Sequence, residues 1–248
     1  MNFKKYKKIT AFTLIEMTIV LIVVGLILGG VITTVGVQRQ QLKRDETRQL
    51  LEVAREALIG FALTNGRLPC PDTGNDGIEN PPNPAVGDDC DANEGVLPHV
   101  DIGVVANDTW GNRFIYRVRG TGNLRMTDAP PALDGAGVPV GGGIGDNASF
   151  TMTNVGNIVI NDNDEAAAGV SVLANNIPAI VISYAENGGI QQACGAGLSA
   201  RELENCDGDE NFVDSHYSNV TGQEYDDLVV WIPLTVLKSR MVEAALLP

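Results

Sequence analysis

Five aspartates crowd the last fifth of the chain: Asp207, Asp209, Asp214, Asp226 and Asp227. Interleaved with glycine and asparagine, they have the composition of a loop wrapped round a hard cation such as Ca²⁺. The competing reading is a solvated acidic loop. A second group, Asp72-Thr73-Gly74-Asn75-Asp76-Gly77, begins like an EF-hand loop, but its twelfth position is Asn83 instead of an acid. A turn held by Asx side chains is the simpler expectation there. The cysteines are Cys70, Cys90, Cys194 and Cys206, and no two of them form a Cys-x-x-Cys pair. His99 and His216 are not at ligand spacing, which disfavours zinc. The even count suits two disulfides. Three pairings are open; the local one, Cys70–Cys90 with Cys194–Cys206, closes the shortest loops, each worth ~3 kcal/mol in chain entropy. Asp214-Ser215-His216 set hydrolase residue types side by side, but sequence neighbours rarely give triad geometry. No Gly-x-Ser-x-Gly elbow is present, and no enzymatic activity is expected.

Glu16 poses a different problem. It stands at the entrance of an apolar run, Met17 to Val37, of 21 residues without a formal charge. An ionised carboxylate there is costly unless something neutralises it. As a helix the run spans ~32 Å, close to the hydrocarbon thickness of a bilayer. Lys4, Lys5, Lys7 and Lys8 precede it and mark the cytoplasmic side, which places the remainder outside the cytoplasm. The small residue Ala11 lies before the run, not after it as in an ordinary secretory signal. A cut between Ala11 and Phe12 removes the lysines and creates an amine on Phe12. That amine is a natural partner for Glu16, one helical turn away or on a neighbouring chain.

The helix is expected to continue to about Thr64. Leu50, Leu51, Ala54, Ala57, Leu58, Phe61 and Ala62 recur at helical spacing, and Asn65-Gly66 followed by Pro69 stops it. Gly25 and Gly29 match a small-residue packing pattern. Residues 66–109 are rich in proline and loop-forming residues. Phe114, Tyr116 and Val118 alternate with Arg113, Ile115 and Arg117 as in a half-buried strand. Residues 128–147 read as a Pro/Gly-rich loop. Three more strands are expected over Asn157–Asn161, Ile177–Ala185 and Asp227–Leu234. Thr235 to Leu247 reads as an amphipathic helix with Leu237 and Met241 on one face and Thr235 as N-cap. The formal net charge is −14, and removing residues 1–11, with four lysines and no acid, takes it to −18. That acidity argues against nucleic-acid binding.

The stretch Ala11-Phe12-Thr13-Leu14-Ile15-Glu16 resembles the class III signal of type IV pilins and type II secretion pseudopilins. The resemblance implies cleavage by prepilin peptidase before Phe12, methylation of the new N-terminus, and pairing of Glu16 with the amine of an adjacent subunit. The family usually has glycine where this chain has Ala11. Asp108-Thr109-Trp110-Gly111-Asn112-Arg113-Phe114-Ile115-Tyr116 is similar to the segment that opens the sheet of major pseudopilins. Ser183-Tyr184-Ala185-Glu186-Asn187-Gly188 and Asp226-Asp227-Leu228-Val229-Val230-Trp231 look like the family's last two strands. The turn between those strands binds calcium in major pseudopilins, and here it is stretched and holds Cys194 and Cys206.

The expected fold is α+β: a long N-terminal helix, membrane half plus amphipathic half, packed on an antiparallel β-sheet with large disulfide-bearing loops and a short C-terminal helix. The expected divisions are a leader at 1–11, a transmembrane and assembly half at 12–37, and a periplasmic or extracellular domain at 38–248. The expected protein is a single-pass inner-membrane subunit that enters a pilus or pseudopilus. Its expected partners are the membrane, other pilin or pseudopilin subunits, prepilin peptidase and an inner-membrane assembly platform. The alternative is an adhesin-like tip subunit whose long loops bind a surface or a secreted protein.

Overall fold

A computed structural model describes residues 12–81, 90–119, 151–164, 167, 169–191 and 194–247, without the side chains of 27–37 and 190–191. The expected loop at 128–147 lies outside the described residues, as do Ala11 and the leader. The chain divides into two compact units, Met1–Lys43 and Arg44–Pro248.

Helix α1 is Leu14–Asn65. It stops where the sequence signals it: Gly66 takes φ 68° and its N–H returns to Ala62 O at 2.8 Å, a left-handed terminus that suits glycine. Leu51, Ala54, Leu58 and Ala62 form the stripe buried in the Arg44–Pro248 unit, and Ile59 joins them. The expected membrane half is corrected. Among the described residues, no helix is long and apolar enough to cross a membrane. Charged residues recur from Arg39 onward. The placement as a single-pass inner-membrane protein is corrected on the same ground.

The single antiparallel sheet is corrected as well. There are two sheets. The first contains β1 (Glu94–Val96), β2 (Ile115–Val118), β5 (Ala179–Ser183) and β7 (Leu228–Ile232) in the order β1-β2-β5-β7, all antiparallel. The second contains β3 (Ile158–Asn161), β4 (Val172–Ile177) and β6 (Asn211–Val213) in the order β4-β3-β6, and β3 runs parallel to β6. The sequence does not announce β1, β4 or β6, which are short or carry polar residues such as Asn175 and Asn176.

The two sheets explain a pattern that a half-buried strand does not. β5 is buried along its whole length, and so is β2. Phe114, Tyr116, Val118 and Val181 pack with α1, while Ile115, Ile180 and Ile182 pack with Ile158, Ile160 and Phe212 of the second sheet. A strand covered on both faces reads as a continuous apolar run, which is what Ile180-Val181-Ile182 is. Arg117 is the polar exception in β2. Its guanidinium donates to Glu94 Oε2 at 3.1 Å and to Gly208 O at 3.0 Å, so its burial is compensated.

Two small helices, α2 (His99–Ile102) and α3 (Gly188–Gln191), sit in the connections, with α4 (Ala200–Glu204) before β6. The last helix, α5, is Leu234–Glu243, and Leu237 and Met241 are buried. Its N-cap is Pro233, two residues before the expected Thr235, and no side chain caps it. Both disulfides take the local pairing, Cys70–Cys90 and Cys194–Cys206, which fits an oxidising compartment.

Candidate functional site

At the start of α1, Thr13 is followed three residues later by Glu16. The Thr13 N–H and its hydroxyl both donate to Glu16 Oε2 at 2.9 Å, and the Glu16 N–H donates back to Thr13 Oγ1 at 3.3 Å. This is a reciprocal capping box. The hydrogen bonds from the Thr13 backbone and then its side chain hold the Glu16 carboxyl below the usual carboxylate range. Glu16 is therefore anionic at neutral pH, fully exposed, and placed where a helix N-terminus favours negative charge. The sequence reading gives Thr13 no role, although Thr-x-x-Glu is itself the signal for such a box.

Around this anion the apolar side chains have no cover. Every large apolar residue described between Phe12 and Leu26 is exposed, from 43% at Val24 to 84% at Leu14. They occupy consecutive positions, Val20 to Val24 among them, so the exposure runs round the whole helix and not along one stripe. A side chain at Gly25 would meet nothing within 4 Å, so its lack of a side chain answers to no contact inside this chain.

A second constellation joins two of the sequence blocks. Asp108 Oδ1 accepts from the N–H groups of Trp110 and Asn112, each at 2.9 Å, which fixes the turn into β2. Its other oxygen accepts from Ser183 Oγ at 2.6 Å. Ser183 Oγ accepts from the Ala185 N–H at 3.2 Å, and Asn112 Nδ2 donates to Ala185 O at 2.6 Å. Gly188 completes the fit, since a Cβ there would stand 2.5 Å from the Asn112 side chain. Residues Asp108–Asn112 and Ser183–Gly188 thus form one node across the β2–β5 pair.

The five candidate calcium ligands take separate local roles. Asp207 Oδ1 accepts from the Asp209 N–H at 3.1 Å, and Asp209 Oδ1 accepts from the Asn211 N–H at 2.6 Å. Both fix the turn into β6. Asp214 follows β6, and burial pushes its carboxyl up against the opposing pull of Arg48 and His216. Asp226 Oδ2 accepts from the Glu186 N–H at 2.9 Å. Burial, with Glu202 and Glu186 nearby, raises Asp226 to about 6. Asp227 is buried and accepts from Asn205 Nδ2 at 2.7 Å. Among the described residues, no group of three or more His, Cys, Asp or Glu is placed to hold a metal ion. The EF-hand-like start is an Asx turn: Asp72 accepts from the Asn75 and Gly77 N–H groups, each at 2.7 Å.

No family model, curated protein or solved structure matches this chain. Its own geometry carries the functional argument.

One ion pair has no obvious sequence signal. Arg67 and Glu79 are both buried and meet in two hydrogen bonds, Nη1 to Oε2 at 2.6 Å and Nη2 to Oε1 at 2.5 Å. Glu79 Oε2 also accepts from the Cys70 N–H at 3.0 Å. The pair ties Arg67, just before the loop that the Cys70–Cys90 disulfide spans, to Glu79 within that loop. Twelve residues separate the partners, too many for a helical-spacing rule to find them.

Proposed function

We propose that the chain is a structural subunit of a pilin-like filament, cut by prepilin peptidase between Ala11 and Phe12 and assembled through the start of α1. What carries this reading is the exposure of apolar side chains round the whole helix between Phe12 and Leu26. A helix apolar all round must be covered on all sides, and a bundle of equivalent helices from neighbouring copies supplies that cover. The exposed, anionic Glu16 supports the second half of the proposal. In the bundle it pairs with the Phe12 amine of a neighbour, and the Thr13 bonds hold the carboxylate ready for that contact. The node between Asp108–Asn112 and Ser183–Gly188 lends support, because the two blocks that resemble pseudopilin segments act together.

A narrower reading rests on the same hydrogen bonds: Glu16 is a helix cap and nothing more. Glu16→Gln separates the two. Glutamine keeps a carbonyl oxygen for Thr13 but loses the charge. The expected result is normal folding with loss of filament incorporation, read by shearing and electron microscopy. Filaments of Glu16→Gln at normal abundance would reduce Glu16 to a cap. Mass spectrometry of assembled material is expected to find Phe12 at the N-terminus; an attached leader would sink the processing step.

A further inference from the structure

A cavity of about 550 Å³ lies beside β7, lined by Arg48 and Glu52 of α1, Asp162, Leu173 of β4, the run Asp214-Ser215-His216, and Asp227 through Val230. Two features of its wall matter. First, Leu228, Val229 and Val230 all line it, although successive side chains of a strand point to opposite faces. Three consecutive residues can share one cavity wall only if the strand's edge, with its main chain, forms that wall. Second, that edge is unpaired among the described residues. β7 ends the order β1-β2-β5-β7 and, among the described residues, pairs with β5 alone. An open edge presents main-chain N–H and C=O groups ready to pair with another strand.

The rest of the lining fixes the chemistry of the occupant. Leu173 and the β7 valines give an apolar wall. Asp162, Asp214 and Asp227 give carboxylates against the lining guanidinium of Arg48, which lies 3.7 Å from Asp45, while Glu52 is already paired with Arg55 at 2.6 Å. His216 adds a weak base. Desolvation of Asp214 and burial of Asp227 mean that part of this negative charge is held away from water, where an incoming cation gains most.

We infer that this cavity is a docking groove for an extended, basic peptide segment of another protein, which adds a strand to the free edge of β7. Main-chain hydrogen bonds to β7 supply the register, and the alternating side chains supply selectivity. β7 is five residues long, so it accepts a segment of ~17 Å. Apolar residues of the segment meet Leu173 and the valines, and its lysines or arginines meet Asp162 and Asp214. The inference does not depend on filament assembly, because every lining residue belongs to the Arg44–Pro248 unit.

The test uses the full chain and three synthetic octapeptides: one alternating lysine with valine, one alternating glutamate with valine, and the lysine peptide N-methylated at alternate residues. Binding is read by fluorescence anisotropy and by hydrogen exchange of the β7 amides. The expected result is that the lysine peptide binds, slows exchange over Leu228–Ile232, and weakens as salt rises. The glutamate and N-methylated peptides are expected to bind at least tenfold more weakly. Asp162→Asn combined with Asp214→Asn should weaken the lysine peptide about tenfold. Equal binding of the glutamate peptide removes the charge argument, and equal binding of the N-methylated peptide removes the strand. Failure of the lysine peptide to protect β7 overturns the proposal whatever the variants do.

Discussion

Thr13 and Glu16 cap α1 as Ser199 and Glu202 cap α4, with the same reciprocal bonds between side chain and backbone. Their surroundings differ. Glu16 is exposed and bonds only to its own cap residue, whereas Glu202 is 2% exposed and also accepts from Asn187 Nδ2 at 2.9 Å. Ser199 Oγ reaches out in turn and donates to Glu224 O at 2.6 Å. The buried box therefore ties three segments of the domain together, while the exposed one organises a single helix turn. One local device serves tertiary structure in one place and leaves an anion facing outward in the other. Carboxylates follow the same division more widely. Those of the Arg44–Pro248 unit include several held inside by cations and N–H donors, and the one at the start of α1 stands among exposed apolar side chains.

That contrast can be broken by removing buried acids one at a time. Glu79→Ala is expected to have the largest effect. It strands the Arg67 guanidinium in the interior, which costs about 3–5 kcal/mol of unfolding free energy. Chemical denaturation measures it, and Arg67→Met with Glu79→Leu should recover most of the loss. Next comes Asp108→Ala, which leaves the buried Ser183 hydroxyl and two N–H groups without their acceptor. About 2–3 kcal/mol is expected, with the β2–β5 amides exchanging faster. The two caps then give the sharpest comparison. Glu202→Ala should cost about 1–2 kcal/mol, because a cap and a tertiary hydrogen bond go together. Glu16→Ala should leave the unfolding midpoint of the domain unmoved. Equal losses at the two positions would erase the distinction.

The buried acids also predict a pH dependence. Asp226 titrates near 3.8 when unfolded and at about 6 in the fold, because burial and the nearby acids oppose its charge. The fold therefore binds its proton more tightly than the unfolded chain does. The stabilisation from protonated Asp226 is complete below pH 3.8 and is lost as pH rises through about 6. Thermal unfolding between pH 5 and 7 should show a decline of about 1 kcal/mol from this residue. Asp226→Asn should flatten that decline.

The helix stop at Asn65-Gly66 was legible without coordinates, since it is a local fact. Four of the strands, β2, β3, β5 and β7, announce themselves by apolar runs rich in β-branched residues. The local disulfide pairing was among the pairings left open. The second sheet was not legible. β3 pairs with β6 at a separation of 52 residues, and β6 contributes only Asn211, Phe212 and Val213, too few to carry a period. Arg67 and Glu79 carry no pattern either, since nothing local ties a charge to a partner twelve residues away.

The sequence by itself determined what short-range chemistry can set: where α1 ends and which runs must be buried. Only the tertiary structure decided that β5 is covered on both faces, that Asp108 and Ser183 meet, that Asp207 and Asp209 fix the turn into β6 while Asp226 and Asp227 accept bonds from other segments, and that the edge of β7 lies beside an acidic cavity. The reason is physical. Helix caps and turns are closed by neighbours in the chain, whereas burial and strand edges depend on which distant segments arrive to cover them.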